Sequence, residues 1–415
     1  MYQLQLILGS MPGTLPDGEP VPDDGSLPPT ATRRLGDTPF GVYVHVPFCR
    51  TRCGYCDFNT YTATELGGGG SQAAYPGLVA AEIRLAAQVL PAGRPPAATV
   101  FFGGGTPTLL RPAEIAGMLA GIDEAFGLAD DAEVTVEANP ESVGPAELEQ
   151  LRAGGVTRVS FGMQSSVPHV LRVLERQHQP GRTADCVRWA REAGFEQVSL
   201  DLIYGTPGES DDDWRASLTA AIEADPDHVS AYALIVEEGT RLAAKVRRGE
   251  TAAPDDDAMA DRYLIADDLL GSAGFGWYEL SNWAKSDKAQ CRHNLLYWAG
   301  GDWWGFGPGA HSHVGGVRWW NVRHPTAYAQ RLAAGHSPAA ARELLTQAEQ
   351  HMEEIMLRAR LAEGLPVTLL TPAARAAAER SRDRGLIDGG AYASGRLVLT
   401  RAGRLLADAV IRDLT

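Results

Sequence analysis

Three of the five cysteines fall within eight residues, as Cys49, Cys53 and Cys56 in GVYVHVPFCRTRCGYCDF. The pattern is C-x3-C-x2-C, directly after a run that reads as a β-strand. Three thiolates at these spacings can wrap one face of a cubane [4Fe-4S] cluster. A structural zinc ion wants four protein ligands, and no fourth Cys or His is well placed, because His45 lies on the preceding strand. Three ligands leave one iron open. That iron can take the amino and carboxylate groups of S-adenosylmethionine and set its sulfonium for one-electron reduction. Cys186 and Cys291 stand alone, a distribution unlike a disulfide framework.

Other polar residues occur where a charged cofactor could use them. The run Phe102-Gly103-Gly104-Gly105-Thr106-Pro107 can bring backbone amides close to a ligand, because glycine carries no Cβ. Glu137 in VEANP, Gln164 in RVSFGMQS, Arg176 in LERQH and Asp201 in DLIYGTPGE can accept from hydroxyls, fix an amide contact or pair with a carboxylate. Each taken singly is equally compatible with a polar residue satisfied in the core or by solvent.

The elements that must position these residues follow from periodicity. Short β-rich runs at Val42–Val46, Thr99–Phe102, Glu133–Glu137, Arg158–Phe161, Gln197–Ile203 and Val229–Leu234 alternate with amphipathic stretches such as YPGLVAAEIRLAAQVL and RTADCVRWAREAG. Six such units predict an α/β fold built on a parallel barrel that six units leave incomplete, a partial (β/α)6 barrel. Chemistry in parallel barrels gathers at the C-terminal strand ends, where each of these motifs sits. The division expected is a poorly ordered Pro/Gly-rich tail at 1–38, a core domain at 39–245, an aromatic-rich extension at 246–335 and a C-terminal domain at 336–415. LGGGGSQ at 66–72 reads as a flexible linker. In the last domain, EEIMLRARLAEGL, ARAAAERSRDRGLI and a hairpin-like YASGRLVLTRAG predict an α+β, winged-helix-like module.

Composition narrows the function. With 37 basic and 52 acidic residues, the formal charge of -15 repels nucleic acid over most of the surface, so the module is expected to serve structure or docking and not DNA binding. No apolar run is long enough to span a bilayer, and the first ten residues lack the basic start of a secretory signal, so a cytoplasmic protein is expected.

From Gly41 onward these motifs resemble the radical S-adenosylmethionine (radical SAM) superfamily. The resemblance implies that Cys49, Cys53 and Cys56 hold the cluster. It further implies that Tyr43, Gly104, Gly105, Thr106, Glu137, Gln164, Arg176 and Asp201 contact S-adenosylmethionine, the glycine run at its methionine end. VYVHVPFC, GGGTPT, FGMQS and DLIYGTPGE look most like the oxygen-independent coproporphyrinogen III oxidase group. Its oxidase branch carries a further cysteine two residues past the third ligand, where Phe58 stands here, and an aromatic-containing N-terminal extension that the tail does not match. The other branch consists of haem chaperones, whose recognition residues are matched by His293-Asn294-Leu295-Leu296-Tyr297-Trp298. The resemblance therefore implies haem as cargo near His293 and Tyr297, since imidazole and phenolate can ligate haem iron. Seven of the nine tryptophans lie between Trp277 and Trp320, a density that suits the planar apolar walls a porphyrin needs. An aromatic core patch with a hydrogen-bonded His is the simpler alternative, and Cys291 and His311 are further candidate ligands. The resemblance also implies haem-accepting partners, among them membrane-associated respiratory proteins, and a homodimer. Two rivals stay open: an oxygen-independent coproporphyrinogen III dehydrogenase of porphyrin metabolism, and a winged-helix sensor of iron–sulfur status.

Overall fold

The computed structural model describes residues 18–66 and 71–415. Each of the six predicted β-rich runs lies on a strand: β1 (Phe40–Val46), β2 (Ala97–Gly104), β3 (Leu128–Ala138), β4 (Arg158–Gln164), β5 (Gln197–Tyr204) and β6 (His228–Ala233). Between them run α1 (Tyr75–Val89), α2 (Pro112–Phe126), α3 (Pro145–Ala153), α4 (Arg182–Glu192) and α5 (Asp211–Glu223). Every residue of β1 is buried, as expected of a parallel strand covered on both faces. Local chemistry sets the helix starts. Pro stands in the first turn of α1, α2 and α3, and Ser210 caps α5 by accepting from the Asp213 N–H at 3.2 Å.

The aromatic region does not form a separate extension. After α6 (Arg241–Arg247) and α7 (Asp256–Ser272), it supplies β7 (Gly276–Glu279), β8 (Asn282–Ala284), α8 (Arg292–Trp298), β9 (Asp302–Phe306), β10 (His311–Val314), β11 (Val317–Asn321), α9 (Pro325–Ala333) and β12 (Ala339–Leu344). All of these strands join one sheet in the order β12-β11-β10-β9-β1-β2-β3-β4-β5-β6-β8-β7. Strand β9 pairs in parallel with β1, adding a seventh parallel strand, and antiparallel strands flank both sides. The expected boundary at 335/336 falls just before β12, which pairs with β11 and so belongs to the main sheet.

A second apolar core begins in α10 (Gln347–Arg358) and includes Ile355, Leu365, Leu370 and Leu397. It is closed by α11 (Pro372–Asp383), α12 (Ala407–Leu414) and the short pair β13 (Leu365–Pro366) and β14 (Arg396–Leu397). This is the expected α+β module. The expected local hairpin is absent, however, because Arg396 and Leu397 pair back to β13 and Gly389–Ala393 is helical. The tail expectation also needs correcting from residue 18. Glu19 pairs with Arg342 on β12 through both backbone hydrogen bonds and a 2.8 Å ion pair, and Ala31 is buried against the core. Of the glycine-rich insertion, 67–70 lie outside the described residues.

One buried carboxylate ties the added strands to the barrel. Glu82 on α1 is 1% exposed and accepts from the Gly307 N–H (2.9 Å), the Asn321 amide (2.7 Å) and the Tyr328 hydroxyl. Burial pushes its carboxyl up to about 7. Replacing it with alanine strands three buried donors, so Glu82→Ala should cost roughly 3 kcal/mol in denaturant unfolding. A loss below about 1 kcal/mol would mean that the donors find other partners.

Candidate functional site

At the C-terminal end of β1 the chain leaves Val46 and turns through the cysteine loop. Backbone bonds hold that loop to itself and to the end of β2. Cys49 N–H donates to the Tyr61 carbonyl (3.0 Å), Tyr61 N–H to the Pro47 carbonyl (2.7 Å), and Thr106 N–H to the Phe48 carbonyl (2.8 Å). The glycine run explains the closeness. A Cβ on Gly105 would stand 2.5 Å from the Phe48 carbonyl oxygen and 3.0 Å from the Cys49 sulfur. Gly104, at φ +115°, would meet the His45 ring at 2.7 Å. These glycines thus make room for the cluster loop and its supporting strand, and the Gly104 N–H is itself taken by Glu137 at 3.0 Å.

Below this loop lies a cavity of about 250 Å³, lined by every candidate residue named from the sequence except His311: the three cysteines, Tyr43, Gly104, Gly105, Thr106, Glu137, Gln164, Arg176, Asp201, Cys291, His293 and Tyr297. All three thiols are free, and each sulfur-bearing residue is partly exposed. Burial pushes the Cys49 thiol up and the Cys56 thiol up to about 12, so binding metal there must also displace protons. Among the described residues no three Cys, His, Asp or Glu groups are gathered in the geometry of a single bound ion. Three thiols on one cavity wall, with a glycine backbone pressed against the first, fit a larger cluster.

The cofactor candidates are held by specific partners. Arg176 donates to Asn139 (2.8 Å) and to the Gly162 carbonyl (2.9 Å), and its guanidinium lies 3.8 Å from the Cys53 sulfur. Asn139 in turn donates to Thr106 at 2.9 Å. Gln164 sits at a register shift in β4 with φ +62°, a strained position that a non-glycine residue keeps only where the surroundings fix it. Asp201 accepts from Ser160 at 2.8 Å. Burial raises the Asp201 carboxyl, and burial together with Asp201 pushes Glu137 up to about 7.

Sequence reasoning missed the loop's support. His45 spends both ring nitrogens, on the Tyr43 hydroxyl (3.0 Å) and the Asn59 carbonyl (2.9 Å), so it is a strut and not a ligand. The Asn59 amide donates to the Pro308 (3.0 Å) and Arg323 (2.8 Å) carbonyls, anchoring the loop to the segments after β9 and β11. Cys291 is buried on the wall of this cavity, whereas His311 lies outside it; desolvation pushes the His311 ring down to about 3, and the ring stacks on Trp320.

His293 and Tyr297 lie at the opposite end of the cavity. His293 is 1% exposed; its Nδ1 is 2.8 Å from the Thr99 hydroxyl and its Nε2 2.8 Å from the Tyr297 hydroxyl. Its ring stacks on Phe101 at 5.1 Å, and Tyr297 packs edge-on against Trp303 at 4.6 Å. The tryptophan-rich segment packs as core: Trp298, Trp303, Trp304, Trp319 and Trp320 are all buried, and none of them lines the cavity.

The family model of the radical SAM superfamily matches residues 43–221. Over 376 residues, 91% of this chain and 95% of the relative, the sequence is 55% identical to a heme chaperone HemW of Mycobacterium tuberculosis. A heme chaperone HemW of Bacillus subtilis is 34% identical over 78% of this chain and 84% of its own length. The fold matches coproporphyrinogen III oxidase (HemN) from Escherichia coli, described as a radical SAM enzyme, with a TM-score of 0.79 over 92% of both chains at 22% identity, a likeness of fold alone.

The glycine contacts yield a test. Gly105→Ala should sharply lower the iron retained after anaerobic reconstitution while circular dichroism stays unchanged, whereas Gly77→Ala, with nothing within 4 Å of its added methyl, should retain full iron. Equal iron in both would show that the loop yields to the methyl group.

Proposed function

The chain belongs to the radical SAM superfamily and, within it, to the family of the heme chaperones HemW; from that premise we propose that it takes up haem and passes it to acceptor proteins. The observation that carries the reading is the placement of His293 on the wall of the same cavity as Cys49, Cys53 and Cys56. When bound, the cluster and S-adenosylmethionine supply one-electron reductive chemistry. The chain's own residues bind and orient. Cys49, Cys53 and Cys56 hold the cluster, and Glu137 and Asp201 face the cationic and hydroxylated parts of the cofactor. Arg176, fixed by Asn139, steadies the loop's electrostatics beside Cys53.

His293 is suited to ligate haem iron through Nε2. Burial pushes its ring down to about 3, leaving the neutral imidazole that metals require. Thr99 can accept the Nδ1 proton, the outer contact that fixes a ligating tautomer. Tyr297 is the weaker candidate ligand, because burial raises its phenol and disfavours the phenolate. Its hydroxyl instead occupies Nε2, and cargo must displace it. Phe58, standing where the oxidase branch has a further cysteine, favours this reading over coproporphyrinogen oxidation. The acceptors we propose include membrane-associated respiratory proteins, met from the cytoplasm by transient contact, with the chain as a homodimer. Among the described residues no helix is long and apolar enough to cross a membrane.

Haem titration followed at the Soret band tests the site. His293→Ala should weaken binding at least about tenfold, the loss of a ligand worth more than 1.4 kcal/mol, whereas Tyr297→Phe, which frees Nε2, should bind as well as or better than wild type. Unchanged affinity in His293→Ala removes the site. A second measurement concerns the cofactor. Glu137 is ionised only above about pH 7, so S-adenosylmethionine affinity should fall as pH drops from 8 to 6, and Glu137→Gln should flatten that profile. A wild-type profile as flat as the variant's would separate Glu137 from cofactor binding.

A further inference from the structure

The cavity continues below the level of Glu137 and Asp201, and that lower space has no assigned occupant. Side chains alternate along each strand, so the residues two positions earlier face the same interior. These are Thr135 on β3, Arg158 on β4, Ser199 on β5 and His228 on β6, all on the cavity wall. The register places Thr135 beside Arg158 and Ser199 beside His228.

The polar atoms there do not close on one another. Thr135 is 1% exposed, and its hydroxyl has no partner among the described residues. The Tyr278 oxygen accepts from the Cys291 N–H at 3.2 Å, which leaves its own proton to donate to His228 Nε2 at 2.8 Å. The ring proton of His228 therefore sits on Nδ1, which is buried and equally without a partner among the described residues. Ser199 accepts from Arg158 at 3.1 Å, so its hydroxyl proton is free to be given. Arg158 lines the cavity with its guanidinium held by Glu133 (3.0 Å), by Ser199 and by the Ala289 and Gln290 carbonyls (3.0 Å each), an ion pair that sets one wall of the chamber. Buried donors left unpaired are rare and call for an occupant.

We propose that this lower chamber binds a small carboxylate, which accepts hydrogen bonds from Thr135, Ser199 and His228 beside the Arg158 guanidinium. The three donors match the acceptor capacity of two carboxylate oxygens, and hydrogen bonds to the ionised group are the stronger kind. A single water would bring two protons of its own and fill only about 30 Å³. The carboxylate can belong to a free acid or to a propionate arm of a tetrapyrrole held in the same cavity. The site depends on the barrel interior and not on haem ligation by His293, so it goes beyond the chaperone reading.

Propionate is the probe, added to anaerobically reconstituted full-length protein and followed by saturation-transfer NMR with 1-propanol as the control. Wild type should give a saturable propionate signal that propanol lacks. Thr135→Val should weaken it about tenfold or more, as expected for a lost hydrogen bond to a charged group. Its thermal stability should hold, because the hydroxyl bonds no other described residue. Ser199→Ala should shift affinity in the same direction. No saturable signal in wild type, or equal affinity in Thr135→Val, overturns the site in favour of bridging water. Haem and haem dimethyl ester then distinguish the source. A preference for haem that disappears in Thr135→Val assigns a porphyrin arm, and equal binding of the two alongside propionate binding assigns a free acid. If haem fails to bind while propionate binds, the chaperone reading falls and the chamber stands.

Discussion

The open end of the barrel depends on how closely the backbone at Gly105 approaches Phe48. Two amides after β2 donate back to Val46 and Phe48, and that contact exists only because position 105 has no side chain to place 2.5 Å from the Phe48 carbonyl. With the contact made, Cys49 begins its loop against a rigid strand end. His45 and Asn59 then tie the far side of the loop to the segment after β9. The three cysteines are thereby presented on one wall, and the space beside them is a cavity with an interior surface and not a surface groove. A loop free to move would hold thiols of equal chemistry at no fixed separation.

The same interior has two electrostatic levels. On the same wall as the cysteines stand the carboxyls of Glu137 and Asp201, both raised by burial, which a cationic partner would draw back into the ionised form. Deeper, the wall turns to donors around Arg158. His293 and Tyr297 meet the cavity at this far end, packed among Phe101 and Trp303 with both imidazole nitrogens engaged. In the haem site proposed at His293, uptake of cargo exchanges one hydrogen bond for one metal bond, with the Thr99 contact retained. The tryptophans around it are buried among the added strands and hold them in place.

Much of this was legible in the sequence. The cysteine spacing, the six alternating units and the strand-end motifs carry their meaning locally, and the strand-end candidates reach one cavity because parallel strands bring their C-terminal ends together. What was not legible depended on pairing over long separations. Strand β9 joins β1 across more than two hundred and fifty residues, and nothing in DWWGF announces a parallel partner. The Pro-rich segment after residue 18 looked structureless because its order comes from Arg342 and Ser337 and not from its own period. YASGRLVLTRAG looked like a hairpin because its alternation is local, whereas its partner is Leu365. The lower chamber did leave a trace: Thr135 and Glu137, Arg158 and Ser160, Ser199 and Asp201, His228 and Ser230 place polar residues at every second position of strands that should be buried. A polar alternation in an otherwise buried parallel strand marks an interior that holds something.

The claim on which the rest stands is that three thiolates leave one iron free for an amino acid chelate. The most direct measurement is electron–nuclear double resonance on the reduced cluster with S-adenosylmethionine carrying 15N in its amino group and 17O in its carboxylate. Couplings from both labels to the cluster are predicted. A reduced-cluster spectrum that does not change when the labelled cofactor is added, with neither coupling present, would contradict the account.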